Sequence, residues 1–234
     1  MSLESVYSGW KKLGANFNVG PAPITPDLER LLIETAGVIP ENSRLYVVVL
    51  SWLAANYRLV CRHRLAGLAA GISDPVSSAV LGFMLEEAKT ILSTDHFNIA
   101  IKQCESLTEP RPLFLVDCIS DSFKNTAEAK SGDISRKWGL WCEDISLKPE
   151  SVRPVSWIIN NNPALIHRAI FNGNLRASII ETLKHDSDSG QSESLLARCC
   201  NVTRKALRDA LDHLEYCQAV HRVNTGSKVR IILL

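Results

Sequence analysis

Hydrophobic residues recur every three or four positions in three stretches near the end of the chain, which predicts three amphipathic helices. The stretches are 174–185, 192–199 and 203–216. Ser192 and Thr203 stand where the second and third helices need N-caps, because a hydroxyl oxygen can accept a hydrogen bond from the first turn. Asn201 tolerates left-handed backbone, so it suits the sharp turn between those two helices. The side chains expected to be buried together are Leu183, Leu195, Leu207, Leu211, Leu214 and Val220.

Two runs of alternating apolar and polar residues follow the third stretch and predict a β-hairpin. Its turn is the short Asn-Thr-Gly-Ser segment at 224–227. In the second strand Lys228 and Arg230 share one face, and apolar residues occupy the other. Three helices followed by a two-stranded wing is the order of a winged helix-turn-helix, which we therefore predict for residues 174–234.

Basic residues lead the outward face of the third predicted helix, and acidic residues follow them. Arg204, Lys205 and Arg208 come before Asp209 and Asp212. Because the N-terminal half of a recognition helix enters the major groove, this order points the cations at DNA and keeps the acids away from it. Arginine matches the paired acceptors of guanine, and lysine or arginine can hold phosphate. The predicted DNA-binding residues are Thr203, Arg204, Lys205, Arg208, Arg222, Lys228 and Arg230.

The charge balance of this segment leaves a second hypothesis open. Nine Lys and Arg residues stand against seven Asp and Glu residues between 174 and 234, a net charge of +2. Such a small excess is a weak electrostatic footprint for a nucleic-acid-binding protein. A winged helix used only for contact with another protein is therefore the alternative to DNA binding.

The same segment resembles the winged-helix transcriptional regulators of bacteria. The residues that carry the resemblance are 195–197, Val202, Thr203, Ala206, Leu207, Ala210, Leu211, Leu214 and Val220. The preceding run 161–180 is similar to the lead-in helix of a bacterial group encoded beside nucleotidyltransferase-like genes. The two resemblances cover under a third of the chain, and they imply a repressor or antitoxin-like protein that controls its own neighbourhood. The chain departs from the usual pattern at Asn201, where Gly is common, and at the adjacent Cys199 and Cys200.

Helical patterns also dominate the rest of the chain, which we expect to be mainly α. Residues 1–24 contain Gly and Pro breakers and are predicted to be a flexible arm. Residues 25–150 are predicted to form a helical domain, and 151–173 a connecting helix. The segment 45–57 is apolar nearly all round, so it is the expected centre of the helical domain, unless part of it forms a dimer interface. The side chains expected inside it are Val48, Val49, Trp52 and Leu53.

Residues 63–116 leave two interpretations open. A short helix, a turn at 71–74 and a longer helix from Pro75 are similar to the C-terminal pattern, and the runs 96–102 and 111–116 look like wing strands. A degenerate second winged helix is one interpretation, and an ordinary helical hairpin is the other. The longer helix carries no base-reading arginine, so no DNA binding is expected from it.

Composition and cysteine usage limit the remaining function classes. The chain has 234 residues, 46% of them hydrophobic, and a formal net charge of +1, so a folded core is expected and no overall field attracts nucleic acid. The apolar run 45–55 is too short to span a bilayer and the N-terminal residues lack the apolar core of a signal peptide, so we expect a cytoplasmic protein without membrane contact.

The seven cysteines form no C-x-x-C pair and are expected to be buried thiols. His213, Cys217 and His221 are four apart, but the third helix should end near Tyr216, so we expect no metal site.

The motifs of nucleotide-binding and hydrolytic enzymes do not occur in this sequence. We therefore predict no catalytic residues, no cofactor and no enzymatic activity. The leading hypothesis is a sequence-specific transcriptional regulator that binds double-stranded DNA and forms a homodimer, or contacts a partner protein, through its helical domain. The alternatives are a protein-interaction scaffold and a ligand sensor with a deep pocket within residues 27–150.

Overall fold

The computed structural model describes residues 2–115, 121–225 and 228–234, and it is mainly helical, as predicted. The N-terminal helices are α1 (Leu3–Lys12), α2 (Leu28–Val38), α3 (Ser43–Asn56), α4 (Arg62–Ala69), α5 (Pro75–Leu92) and α6 (Asn98–Ile101). The middle of the chain adds β1 (Arg111–Pro112), α7 (Asp121–Ala129), α8 (Asp133–Lys137), β2 (Leu140–Trp141), α9 (Val155–Asn161) and α10 (Ile166–Ile170). The last part, here called the C-terminal unit, consists of α11 (Leu175–His185), α12 (Glu193–Cys199), α13 (Arg204–Tyr216), β3 (Val220–Thr225) and β4 (Lys228–Leu233). Short 3-10 helices lie at Ile39–Glu41, Tyr57–Leu59, Pro149–Ser151, Pro163–Leu165 and Ser187–Gln191.

Helix α3 lies at the centre of the N-terminal core, as its apolar sequence predicts. Its side chains Val48, Val49, Trp52 and Leu53 are all buried. The indole N–H of Trp52 donates a 2.8 Å hydrogen bond to the backbone carbonyl of Leu13, so its one polar atom is satisfied. Because these side chains are covered within one chain, they belong to the core and are not a dimer interface.

The first 24 residues are not a flexible arm, so that prediction is wrong. Helix α1 buries Val6 and Trp10 completely, and the indole N–H of Trp10 donates to Thr35 Oγ1 at 2.7 Å. The ring of Trp10 also packs edge-on against Trp52, with the ring centroids 5.2 Å apart. The Gly and Pro residues that suggested an arm follow this helix at 14–23 and do not interrupt it.

A short turn separates α4 from α5, as both interpretations of residues 63–89 predict, but a wing does not follow them in the part of the chain that the structure describes. The segment 96–102 contains α6 instead of a strand, because Phe97 and Ala100, three positions apart, are both buried. Strand β1 pairs in parallel with β2, with Arg111 opposite Leu140. The degenerate winged helix is therefore wrong for the described residues. Val116, at the end of the predicted second wing strand, lies outside them.

The predicted connecting helix at 151–173 is broken into α9 and α10. Pro163 lacks the N–H that would continue the helix, and a 3-10 turn takes its place. The buried side chain of Asn162 holds this break, because its Nδ2 donates to the carbonyls of Lys12 and Ile158, each at 3.0 Å. The prediction of one continuous helix is wrong.

The C-terminal unit has its own hydrophobic cluster, which contains side chains from all three of its helices and both of its strands. Its buried members include Leu183, Leu196, Leu207, Leu211, Leu214, Val220 and Ile231. The prediction for Leu195 is wrong, since that side chain is only half-buried. The inward face of α12 is set by Leu196 and Cys200, four positions apart and both buried.

Local capping signals act in the C-terminal unit as predicted. The hydroxyl oxygen of Ser192 accepts from the N–H of Leu195 at 3.2 Å, and that of Thr203 accepts from the N–H of Ala206 at 3.3 Å. Asn201 has φ = 49°, so the turn between α12 and α13 uses the left-handed backbone that Asn tolerates.

Helix α4 of the N-terminal core packs directly against the C-terminal unit. At Gly67 an added Cβ would lie 1.9 Å from the backbone oxygen of Cys199, so a larger residue does not fit between α4 and the end of α12. Glycine at this position therefore sets how closely the two parts of the chain approach.

Candidate nucleic-acid interface

The first turn of α13 presents two basic side chains to solvent. Arg204 and Lys205 are exposed, and neither forms an ion pair with any residue whose side chain the structure describes. The preceding Thr203 uses its hydroxyl oxygen as the N-cap, so it fixes the start of the helix. The opposite side of α13 is anchored in the core by Leu207 and Leu211. The two cations are thus held on a capped helix and have no ion-pair partner among the described side chains.

Arg208 lies one turn further along α13, but it has a partner. Its Nε donates to Glu193 Oε2 at 2.8 Å, and Glu193 belongs to the first turn of α12. The side chain of Arg208 is 58% exposed, and such surface pairs contribute less than about 1 kcal/mol. Arg208 can therefore leave Glu193 at small cost, although Glu193 brings a negative charge to the same surface.

Arg222, one of the predicted DNA-binding residues, is paired with two carboxylates of α13. Its Nη2 lies 2.5 Å from Asp212 Oδ1 and 2.5 Å from Glu215 Oε2, and its Nε lies 2.8 Å from Glu215 Oε2. The hydrogen bond from Arg222 holds the pKa of the Glu215 carboxyl below its ordinary value. Two carboxylates on α13 face one guanidinium, so Arg222 has no free charge to offer a phosphate.

Strand register explains why Arg222 turns toward α13. Arg222 pairs with Ile231, and directly opposite residues share one face of a hairpin. Because Ile231 is buried, Arg222 lies on the inner face. Its backbone N–H also donates to Glu215 Oε1 at 2.8 Å, which occupies the free edge of β3. The sequence held a signal for this placement, because Arg222 stands two residues after the buried Val220.

Arg230 lies on the outer face of the hairpin, opposite Val223 in the register. It is exposed, and it makes no ion pair within the described part of the chain. Lys228 begins β4 and pairs with Thr225, but its side chain lies outside the described residues, as does the centre of the predicted turn at 226–227. Of the predicted wing cations, Arg230 alone can be assigned to the solvent face.

The surface around these cations is mixed in character. Asp209 is exposed on α13, one turn after Lys205. At the far end of the unit Tyr216 is 89% exposed, and Ile232 and Leu234 are exposed as well. A continuous positive surface would favour DNA alone, whereas a mixed one also suits a protein partner. The pattern of apolar residues in the sequence does not predict this exposed apolar end.

A buried ionic cluster fixes the C-terminal unit to the N-terminal core. Arg168 of α10, Glu29 of α2 and Glu181 of α11 have no exposed side-chain surface. Arg168 Nη1 lies 2.5 Å from Glu29 Oε1, Nη2 lies 3.0 Å from Glu29 Oε2, and Nη2 also bonds to Glu181. One guanidinium therefore joins the second helix of the chain to the first helix of the C-terminal unit.

Glu181 is surrounded by further donors from α10 and α11. Its carboxylate lies 2.6 Å from His167 Nε2, 3.3 Å from His185 Nε2 and 3.6 Å from Lys184 Nζ. Burial by itself would raise the pKa of Glu181, but hydrogen bonds from the two histidines and the charge of Arg168 outweigh burial and hold that pKa well below its ordinary value. Glu181 is therefore ionised at neutral pH.

A second ionic cluster, centred on Arg64, strengthens the same junction. The guanidinium of Arg64 lies 2.5 Å from Asp27 Oδ2 and 2.6 Å from Asp186 Oδ2, and Arg30 lies 2.7 Å from Asp186 Oδ1. Asp186 directly follows α11, while its partners belong to α4 and α2. Sequence patterns do not predict either cluster, because each contains a pair more than a hundred positions apart, Arg64 with Asp186 and Arg168 with Glu29.

The histidine and cysteine trio at the end of α13 is split by the end of the helix. Cys217 Sγ lies 3.7 Å from His213 Nδ1, but α13 ends at Tyr216 and His221 lies on β3, as predicted. Among the residues that the structure describes, no group of three or more metal-ligating side chains is placed to hold an ion. The predicted burial of the thiols holds for Cys61, Cys142 and Cys200, whereas Cys217 is exposed and Cys118 lies outside the described residues.

Comparisons with known proteins add no family to this description. Protein-family models, curated proteins and solved structures all give no match to the chain. No helix in the described ranges is both long and apolar enough to cross a membrane. The function is therefore argued from the chemistry of the site itself.

Proposed function

We propose that residues 174–234 form a winged helix-turn-helix that binds double-stranded DNA, and that the protein is a sequence-specific transcriptional regulator, of repressor or antitoxin-like type. The observation that carries the proposal is the first turn of α13. It places Arg204 and Lys205 in solvent, without an ion-pair partner among the described side chains, on a capped helix that follows a left-handed turn at Asn201. A recognition helix reads the major groove with its N-terminal residues, where these two side chains lie.

The footprint is smaller than the sequence analysis predicts. It consists of Arg204, Lys205 and Arg230, with Arg208 joining when it leaves Glu193. Arg204 and Arg208 are one turn apart, so either can reach a guanine while the other holds the backbone. Arg230, on the outer face of the wing, contacts phosphate.

Three free cations make the binding weak and sensitive to salt. If all three contact phosphate, log K falls with log salt at a slope of about −2.7, so affinity drops about 40-fold between about 50 and 200 mM salt. A homodimer on two half-sites doubles this slope and raises the affinity. Dimerisation, through the helical domain or with a partner protein, is part of the proposal.

The test is fluorescence anisotropy with a labelled duplex from the protein's own upstream DNA and with a random duplex. We expect Arg204→Gln to cost about 1–3 kcal/mol on the upstream duplex and less on the random one. Arg230→Gln should weaken both duplexes alike and reduce the salt slope by about one. Arg222→Gln should leave both affinities unchanged, because Arg222 is paired with Asp212 and Glu215. Arg44→Gln is the charge-matched control, since Arg44 is exposed on α3, outside the C-terminal unit.

Contact with a protein partner is the second candidate function, and the exposed apolar end of the unit favours it. Tyr216, Ile232 and Leu234 are large apolar side chains in solvent. Failure of the wild type to bind either duplex at low salt, where electrostatic attraction is strongest, would contradict the DNA proposal and leave this candidate. Light scattering on the wild type and on Tyr216→Ser then tests whether the apolar end joins two copies of the chain.

A further inference from the structure

A cleft of about 450 Å³ lies where the N-terminal core meets the segment that leads into α11. One wall is the turn after α3 and the start of α4, with Tyr57, Arg58 and Arg62. The opposite wall is the segment 171–174, which ends at the N-cap of α11. The volume falls within the range of about 300–1,000 Å³ that is usual for small-molecule sites. None of the cations proposed for DNA contact lines it.

The cleft contains two guanidinium groups that lack a carboxylate. Arg58 and Arg62 form no ion pair in the part of the chain that the structure describes. The Nε of Arg58 donates to the hydroxyl oxygen of Tyr57 at 3.2 Å, and its guanidinium lies 5.6 Å from the centroid of that ring. Asp95 is the carboxylate among the lining residues, and its Oδ1 already accepts from Asn98 Nδ2 at 2.6 Å.

Two histidines near these arginines have lowered pKa values, mainly because they are buried and to a smaller extent because of the arginine charges. Burial lowers the pKa of His63 to about 4, and the charge of Arg62 contributes to this lowering. Burial also lowers the pKa of His96, a hydrogen bond to the Val60 carbonyl opposes this, and Arg62 and Arg58 lower it further. Both imidazoles are therefore neutral at pH 7, so His96 Nε2–H donates to the Val60 carbonyl at 2.9 Å. The positive charge of the cleft belongs to the two arginines.

Aromatic and amide groups complete the walls. Tyr57 and Phe171 line the cleft from opposite sides of the junction, and a planar ring can pack against either. Asn172 and Asn174 lie beside Phe171, and amide side chains can hydrogen-bond to hydroxyl or ring nitrogen atoms. The lining thus combines a site for a multiply charged anion with a site for a flat polar ring.

We propose that this cleft binds a small phosphorylated molecule with a planar ring, such as a mononucleotide. The phosphate lies between Arg58 and Arg62, whose planar guanidiniums can each donate two hydrogen bonds to it. The ring lies against Tyr57 or Phe171. A dianionic phosphate matches two unpaired cations better than a single carboxylate does. The site does not depend on the proposed DNA binding, since it is formed by other residues.

Isothermal titration calorimetry at low salt tests the site, with AMP, adenosine and inorganic phosphate as probes and no DNA present. We expect one AMP per chain with a Kd below about 1 mM, weaker binding of inorganic phosphate, and no binding of adenosine at the same concentrations. Arg58→Gln and Arg62→Gln should each weaken AMP binding at least about tenfold, because each removes charge-assisted hydrogen bonds. Arg58 is exposed, so its variant keeps the fold measurable if the loss of Arg62 does not.

Arg44→Gln provides the matched control. Arg44 is an exposed arginine near the start of α3, about 20 Å along that helix from Tyr57, and AMP binding should be unchanged by its loss. The proposal is overturned if neither AMP nor inorganic phosphate binds at about 5 mM, or if Arg58→Gln binds AMP as tightly as the wild type. Equal affinity for AMP and adenosine would also overturn it, since the phosphate would then contribute nothing. Displacement of AMP by a short duplex would assign the cleft to the DNA backbone instead.

Discussion

Replacement of Arg168 by Met tests whether the buried ionic cluster holds the C-terminal unit on the N-terminal core. Methionine fills much of the same space and removes the charge. The change leaves Glu29 and Glu181 buried without the guanidinium between them. It also leaves the backbone carbonyl of Leu59, now 3.0 Å from Arg168 Nη1, without that donor.

The expected loss in the free energy of unfolding depends on which groups still contact the carboxylates of Glu29 and Glu181. Breaking a buried ion pair from one side costs about 3–5 kcal/mol, because an uncompensated charge remains. Glu181 keeps the two histidines and Lys184 beside it. Glu29 keeps only Arg64 Nε at 3.7 Å and the backbone N–H of Cys61 at 2.7 Å among its described partners. We therefore expect a loss of about 3–4 kcal/mol in the free energy of unfolding, arising mainly at Glu29.

Urea unfolding at pH 7 measures this loss, followed by tryptophan fluorescence and by far-ultraviolet circular dichroism. Trp10 and Trp52 are buried in the N-terminal core and report on it, while circular dichroism reports on the helices of the whole chain. The control is Arg208→Met, which breaks an exposed ion pair and should cost less than about 1 kcal/mol. Adding Glu29→Gln to Arg168→Met removes the uncompensated charge and should restore at least about 1 kcal/mol.

Two results would refute this reasoning. One is a loss for Arg168→Met no larger than that of the Arg208 control. The other is a double variant in which the two losses simply add, since residues that share one buried ion pair must be coupled.

Three further predictions concern packing and pH. Leu211→Ala should reduce the free energy of unfolding by about 2–5 kcal/mol in urea, because Leu211 is fully buried in the C-terminal cluster, and a loss under about 1 kcal/mol would contradict that packing. Gly67→Ala should lower the melting temperature by several degrees, because the new Cβ meets the Cys199 oxygen, whereas Gly20→Ala, which meets nothing within 4 Å, should leave it unchanged. The pKa of Glu181 is lower in the folded than in the unfolded chain, where it is about 4.3, so its stabilising effect is complete above that pH and lost as the pH falls further. Urea unfolding between about pH 6 and 3 should show this loss, and a Glu181→Gln variant with the same acid dependence as the wild type would argue against it.

Local chemistry made the C-terminal unit predictable from its sequence. The caps at Ser192 and Thr203 and the left-handed turn at Asn201 depend on residues within a few positions, so their sequence signals are sufficient. The apolar period of α3 likewise predicted its central place, because a helix with apolar residues on every side must be covered by others. Helix α1 has a buried face of its own, with Val6 and Trp10, but the Gly and Pro residues that follow it favour an irregular segment in the sequence.

Ion pairs between residues far apart in the sequence could not be predicted from these local signals. The spacing of apolar residues indicates which face of a helix or strand is buried, but it does not indicate which charged residues form ion pairs with each other. Arg168 and Arg64 have the same sequence appearance as exposed arginines, and their carboxylate partners are brought to them by the packing of α2, α4, α10 and α11. The charge of Arg222 predicts a DNA contact, and the strand register places its side chain beside Glu215. Whether a cation is free for a ligand depends on what folds against it, and that is a property of the whole chain.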